Sequence, residues 1–181
     1  MKIDRPLRVE IGGAGSRAAV YRRLWSRILN CPSPYHPMLL RQIRCDLRVE
    51  AVPTGEDRLA GWDLLKMLDE AGMLIGNHTM FHSTVAADGV QHFGREVAEA
   101  YQRIEEQLGA KARVFCYPYG RVEDSGPIAE EVLRGLGTDF AFVTQGGVAA
   151  PHRSGHLNIH REDASYSAEA TKLAPLLACL R

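Results

Sequence analysis

Met73-Leu-Ile-Gly-Asn-His-Thr-Met-Phe-His82 decides how the chain is read. Its first three residues form an apolar run of the kind that makes a short buried strand. Gly76 and Asn77 then bend the backbone, and two imidazoles follow four residues apart. In parallel α/β folds, ligands bind in the loop at the carboxyl end of a strand. His78 and His82 stand at such a place. Histidines at this spacing can converge on one ion through ring nitrogens, at about 2.0–2.1 Å for zinc. The other reading is two surface histidines in a loop, since an HxxxH pair by itself is common.

Outward from this stretch, helical and strand patterns alternate. Trp62 to Ala71 is helical, with Gly72 as its C-cap. Gln91 to Leu108 is a long amphipathic helix ended by Gly109. Arg113-Val-Phe-Cys-Tyr117 is a strand stopped by Pro118. Ile128 to Leu136 is a helix ended by Gly137, and Asp139-Phe-Ala-Phe-Val-Thr144 is a strand ended by Gly146-Gly147. Leu157-Asn-Ile159 is a weaker strand, and Tyr166 to Leu180 a last helix. This alternation predicts an α/β fold with a parallel sheet and covering helices, or a barrel.

Before Trp62 the pattern is less regular. Leu7 to Ile11 alternates like a strand. Ser16 to Leu29 is a helix with Ser16 as its N-cap. Three prolines within Cys31–Pro37 break it, and Met38 to Leu47 makes a second helix. Residues 51–60 read as a polar loop. The division expected is an N-terminal strand-helix-helix segment over 1–60 and an α/β core over 61–181, within a single domain.

Composition narrows the classes. With 45% apolar and 24% charged residues over 181 positions, the chain is an ordinary globular protein rather than a disordered one. No run approaches the roughly 18 uncharged apolar residues of a membrane span. Net charge is zero, yet residues 1–50 carry ten Lys/Arg against four Asp/Glu, leaving +6 there and −6 on the remainder. That basic excess is spread over several elements without interleaved aromatics, so no nucleic-acid role is expected. The four cysteines (Cys31, Cys45, Cys116, Cys179) show no CxxC spacing, which argues against a zinc ribbon or a thioredoxin-type site. Gly13, Gly15 and Ala18 fit a dinucleotide-loop pattern, but residues 28–40 lack the acid such a loop requires. No signal peptide is visible in Met1–Glu10, and the compartment is left open.

A second strand end carries Phe115-Cys-Tyr-Pro-Tyr-Gly120. Pro118 fixes φ and Gly120 permits a sharp bend, so the turn can aim backbone N–H groups into a cleft. An ordinary Pro-Gly turn is the alternative.

Taken in order, these features resemble the polysaccharide deacetylases, metal-dependent carbohydrate esterases that include the nodulation chitooligosaccharide deacetylases. The likeness covers residues 62–163: Trp62-Asp63 and its helix, Ile75-Gly-Asn-His-Thr-x-x-His82, the helix Arg95–Leu108, and Phe115-Cys-Tyr-Pro-Tyr-Gly-Arg121. The stretch from Arg5 to about Glu50 is similar to an insertion that some members carry. The resemblance implies a partial or distorted (β/α) barrel with a divalent metal, usually zinc, held by one Asp and two His. His78 and His82 would be metal ligands. Tyr117, Pro118, Tyr119 and Gly120 would bind an N-acetylated carbohydrate, with the Tyr119 N–H holding the oxyanion. His160 is the nearest candidate for the family's last catalytic histidine. The family's first motif, an Asp-Asp pair supplying the base and the third ligand, has no counterpart, because no Asp-Asp occurs in the sequence. The common Arg of the third motif is replaced by Cys116. The expectation is therefore a deacetylase-type hydrolase that starts late and is impaired as a single chain. Its alternative is a non-catalytic carbohydrate- or partner-binding remnant on the same scaffold.

Overall fold

Residues 12–48, 59–145 and 155–161 are described in the computed structural model. The chain divides into two units, Met1–Glu50 and Ala51–Arg181. In the first, helix α1 (Ala14–Leu29) starts two residues earlier than expected, with Gly13 as N-cap. Ser16 serves inside the first turn instead. Its Oγ accepts from the N–H groups of Gly12 and Gly13, at 2.9 and 3.0 Å. A 3-10 turn at Ser33–Tyr35 leads into helix α2 (His36–Leu47). That helix begins ahead of the expected Met38 because Pro37 is tolerated in a first turn, where no N–H partner is required. The expected strand Leu7–Ile11, most of the loop 51–60 and the helix Tyr166–Leu180 lie outside the described residues.

The second unit is built on parallel pairing. Helix α3 (Trp62–Glu70) ends at Gly72, whose φ of 85° closes the turn. Helix α4 (Val85–Asp88) is a single turn that the sequence pattern does not announce. Thr84 caps it by accepting from Ala87 N–H. Helix α5 (Val90–Leu108), strand β1 (Val114–Cys116), helix α6 (Pro127–Gly135) and strand β2 (Phe140–Val143) follow, within one or two residues of the predicted bounds. Strand β3 (Ile159–His160) lies slightly beyond the expected Leu157–Ile159. The sheet order is β1-β2-β3, all parallel, with Phe115 opposite Ala141 and Val143 opposite His160.

Met73–Ile75 is not the buried strand its composition predicts. Met73 and Leu74 are exposed, and pairing is confined to a parallel bridge between Asn77 and Phe115. An apolar run becomes a strand only where a neighbour accepts its ladder, and here β1 engages just the Asn77 end.

Strand alternation sorts the sheet into two faces. Phe115, Tyr117, Ala141 and Val143 point into a core closed by Phe93 and Val97 of α5 and Ala129 and Leu133 of α6. Phe93, Phe115 and Tyr117 form an edge-to-face series, with ring centroids 5.9 and 5.2 Å apart. The other face carries Cys116 and Phe142, which are half-buried, with the Arg161 guanidinium 5.9 Å from the Phe142 ring centroid. The two strand-end loops after Asn77 and Cys116 therefore leave the same edge of one parallel sheet. Among the described residues no helix is long and apolar enough to cross a membrane.

Candidate active site

The histidine loop is fixed by buried and half-buried polar side chains. Asn77, 1% exposed, donates through Nδ2 to the Val97 carbonyl, and its Oδ1 accepts from Thr79 N–H. Glu96, also buried, reaches back from α5 to accept the Phe81 N–H at 2.7 Å. Asp88 accepts from the Ser83 hydroxyl and the Thr84 N–H through one oxygen. These anchors hold two non-glycine residues in the left-handed region, Thr79 at φ 65° and His82 at φ 63°. That conformation costs about 1–3 kcal/mol at a residue with a Cβ and persists only where its surroundings over-determine it.

The loop brings the two histidines together. Their ring centroids are 4.8 Å apart, edge to face. His78 Nδ1 lies 2.7 Å from the Cys116 carbonyl. A carbonyl only accepts, so Nδ1 carries the hydrogen and Nε2 of the neutral ring is left with the lone pair. This is the arrangement in which a ligating histidine has its tautomer and ring plane set by a backbone acceptor.

The tyrosine turn meets the same place. The Tyr119 ring packs edge-on against His82 with centroids 4.4 Å apart. Tyr119 is itself left-handed, at φ 61°, and so is Gly120. Both are tied to Thr144 just past β2: Thr144 Oγ1 donates to the Tyr119 carbonyl at 2.6 Å, and Thr144 N–H to the Gly120 carbonyl at 3.1 Å. A Cβ on Gly120 would lie 2.5 Å from Thr144 N, so only glycine allows this approach. Burial raises the Tyr119 phenol above its ordinary pKa, partly opposed by the Arg121 guanidinium nearby.

The other expected site residues lie at the strand ends. Tyr117 is 1% exposed, its ring in the core and its hydroxyl donating to the Leu157 carbonyl at 3.0 Å. Its ring packs in the core and its hydroxyl holds the strand end. Pro118 is likewise fully buried and shapes the turn. His160 ends β3 opposite Val143, three strand spacings from the Asn77 bridge, or about 14 Å along the sheet. Among the described residues no group of three His, Cys, Asp or Glu could hold a metal ion, so His78 and His82 are joined by no third donor of these kinds there.

Two residues that support these loops, Glu96 and Thr144, are not named by the sequence motifs. Glu96 had a signal: a carboxylate interrupting the apolar stripe Phe93, Val97, Ala100, Ile104. Thr144 had none, since its partners are 24 and 25 residues away.

The sequence model of the polysaccharide deacetylase family matches residues 45–139, just over half the chain. The chain belongs to the polysaccharide deacetylase family. No curated protein matches it. Among solved structures, the deacetylase PplD of Streptococcus pyogenes, in complex with acetate, is similar with a TM-score of 0.53 and 19% identity. The match covers 60% of this chain and 46% of that one. A de-N-acetylase from Aggregatibacter actinomycetemcomitans gives 0.54 and 13%, over 70% of this chain and 58% of the other. IcaB from Ammonifex degensii gives 0.50 and 24%, over 60% and 49%. At these identities the likeness is one of fold, and the deacetylase-family chain spans about half the length of the structures it matches.

Proposed function

We propose that this polysaccharide deacetylase-family chain carries the two-histidine part of a metal site for removing N-acetyl groups from an amino-sugar polymer or oligomer, on a partial or distorted (β/α) barrel. The observation that carries this reading is the His78–His82 pair, 4.8 Å apart, with His78 Nδ1 committed to the Cys116 carbonyl. His78 and His82 would hold a divalent ion, zinc being the one the family resemblance implies and one that imidazole donors suit. When bound, such an ion supplies Lewis-acid polarisation of a water and of the acetamide carbonyl.

The chain's own residues have separable parts. The Tyr119 N–H, at the apex of the turn, would hold the developing oxyanion, and its ring would line the acetyl pocket beside His82. Gly120 allows the close approach of that turn to Thr144. The sequence contains no Asp-Asp pair to supply a general base and a third ligand. General-base assistance is worth roughly 10²–10⁴-fold, so the chain alone is expected to bind ion and saccharide while turning over slowly.

Calorimetric zinc titration of the full chain tests the reading, with acetate release from acetylated chitooligosaccharides as its second arm. One zinc per chain, lost in the His78→Ala, His82→Ala double variant, is expected. Absence of zinc binding in the wild type overturns the metal reading. Saccharide binding that persists unchanged after metal removal, without turnover, favours a non-catalytic carbohydrate-binding remnant instead.

A further inference from the structure

Arg121 follows the tyrosine turn and is held in an unusual way for a surface cation. Its Nε donates to Asp124 Oδ2 at 2.6 Å and its Nη2 to Asp124 Oδ1 at 3.1 Å. Its Nη1 lies 3.2 Å from Glu123 Oε1. The Asp124 side chain is completely buried, whereas that of Arg121 is 34% exposed. Around the pair, Asp124 N–H and the Ser125 hydroxyl both donate to the Arg121 carbonyl, and Gln145 Nε2 donates to Ser125 Oγ. An exposed ion pair contributes little and wanders. A fork bound at both teeth to a buried carboxylate has its plane fixed, and removing either partner leaves the other poorly paired. The plane fixed here serves Tyr119: the guanidinium carbon lies over its ring, 5.4 Å from the centroid. That same ring packs edge-on against His82.

We propose that Arg121 is a positioning residue for the candidate site: anchored on Asp124, its guanidinium fixes the Tyr119 ring, and Tyr119 in turn fixes the imidazole of His82 in one orientation. The chain of contacts runs Asp124, Arg121, Tyr119, His82, each link given by a distance. His82 and Tyr119 both occupy left-handed backbone, at φ 63° and 61°. The consequence for metal binding rests on the reading of His78 and His82 as ligands, whereas the ring coupling itself does not.

The test uses the full chain and two readouts. One is the NMR shift of the His82 ring protons, which the Tyr119 ring current displaces in the wild type. The other is zinc affinity by calorimetry. Arg121→Ala is expected to move the His82 shifts toward those of an exposed histidine. It should weaken zinc about tenfold, the lower end of what loss of an outer partner costs a metal site. Arg121→Lys keeps the charge without the fork and is expected to recover less than half of both effects. It also serves if the alanine variant does not fold. Wild-type His82 shifts and zinc affinity in either variant, with only a lower melting temperature, overturn the proposal. If the wild type binds no zinc but Arg121→Ala still moves the His82 shifts, the positioning contact stands and the metal reading falls.

Discussion

The two loops that build the candidate site are held by different means. The histidine loop is held from nearby in sequence: Asn77, Thr79 and Asp88 belong to it or to the turn that follows, and Glu96 to the helix after that. The tyrosine turn takes its backbone support from Thr144, on the far side of helix α6. Both hold non-glycine residues at positive φ. The difference shows that strained backbone can be fixed by a local net of buried acceptors or by one close approach of a distant strand end. The first kind yields gradually to substitution and the second does not tolerate an added atom.

Gly120→Ala breaks the second kind of support and carries the largest expected effect. The new Cβ meets Thr144 N at 2.5 Å, a backbone atom that cannot swing aside, at a φ of 61° that alanine disfavours. Overpacking of about 1–3 kcal/mol plus about 1–2 kcal/mol for a left-handed residue puts the loss near 3 kcal/mol, or roughly 9 °C in melting temperature. A variant melting within about 2 °C of the wild type would show that the Thr144 approach is not what holds the turn.

Glu96→Ala attacks the first kind. It leaves the Phe81 N–H without its charged acceptor, and the His92 imidazole without a carboxylate 3.8 Å away. Loss of a hydrogen bond to a charged group costs about 2 kcal/mol, or roughly 6 °C. Zinc binding should weaken with it, because His82 immediately follows Phe81. Glu96→Gln keeps an acceptor and is expected to restore most of both. If glutamine behaves like alanine, the negative charge rather than the hydrogen bond holds the loop.

This contrast also marks how much of the molecule was legible. Helices α5 and α6 and strands β1 and β2 were readable because each buries a periodic apolar stripe and stops at a glycine or proline. Met73–Ile75 looked the same in composition, but strand formation depends on a neighbour that composition does not name. Helix α4 is too short to have a period. At the site, His78, His82 and Tyr119 could be named because motif order carries them, and the structure puts their rings in contact. Tyr117 shares the motif of Tyr119. Parity along the strand instead sends it inward with Phe115, two residues earlier. Thr144 and the Arg121–Asp124 fork depend on where chain segments meet.

Tyr117→Phe gives the smallest effect and sharpens the comparison on its packed side. At neutral pH the variant loses one buried hydrogen bond, from the hydroxyl to the Leu157 carbonyl, costing about 1 kcal/mol. Burial, reinforced by Glu130, raises the Tyr117 phenol well above its ordinary value of 10.0. A folded-state pKa raised in this way favours the protonated form. Its contribution is complete below pH 10 and is lost as pH rises beyond it, because the unfolded chain then releases a proton that the fold retains. Wild-type stability should therefore fall in alkali, and that of Tyr117→Phe should fall less steeply, so that the two converge above pH 10. Tyr101, also raised chiefly by burial, keeps part of the alkaline slope in the variant. Urea unfolding at neutral pH and above pH 10 measures both effects. An unchanged alkaline slope in Tyr117→Phe would mean that the phenol is not shut in the core, and that the tyrosine turn lacks the inward anchor that separates it from the histidine loop.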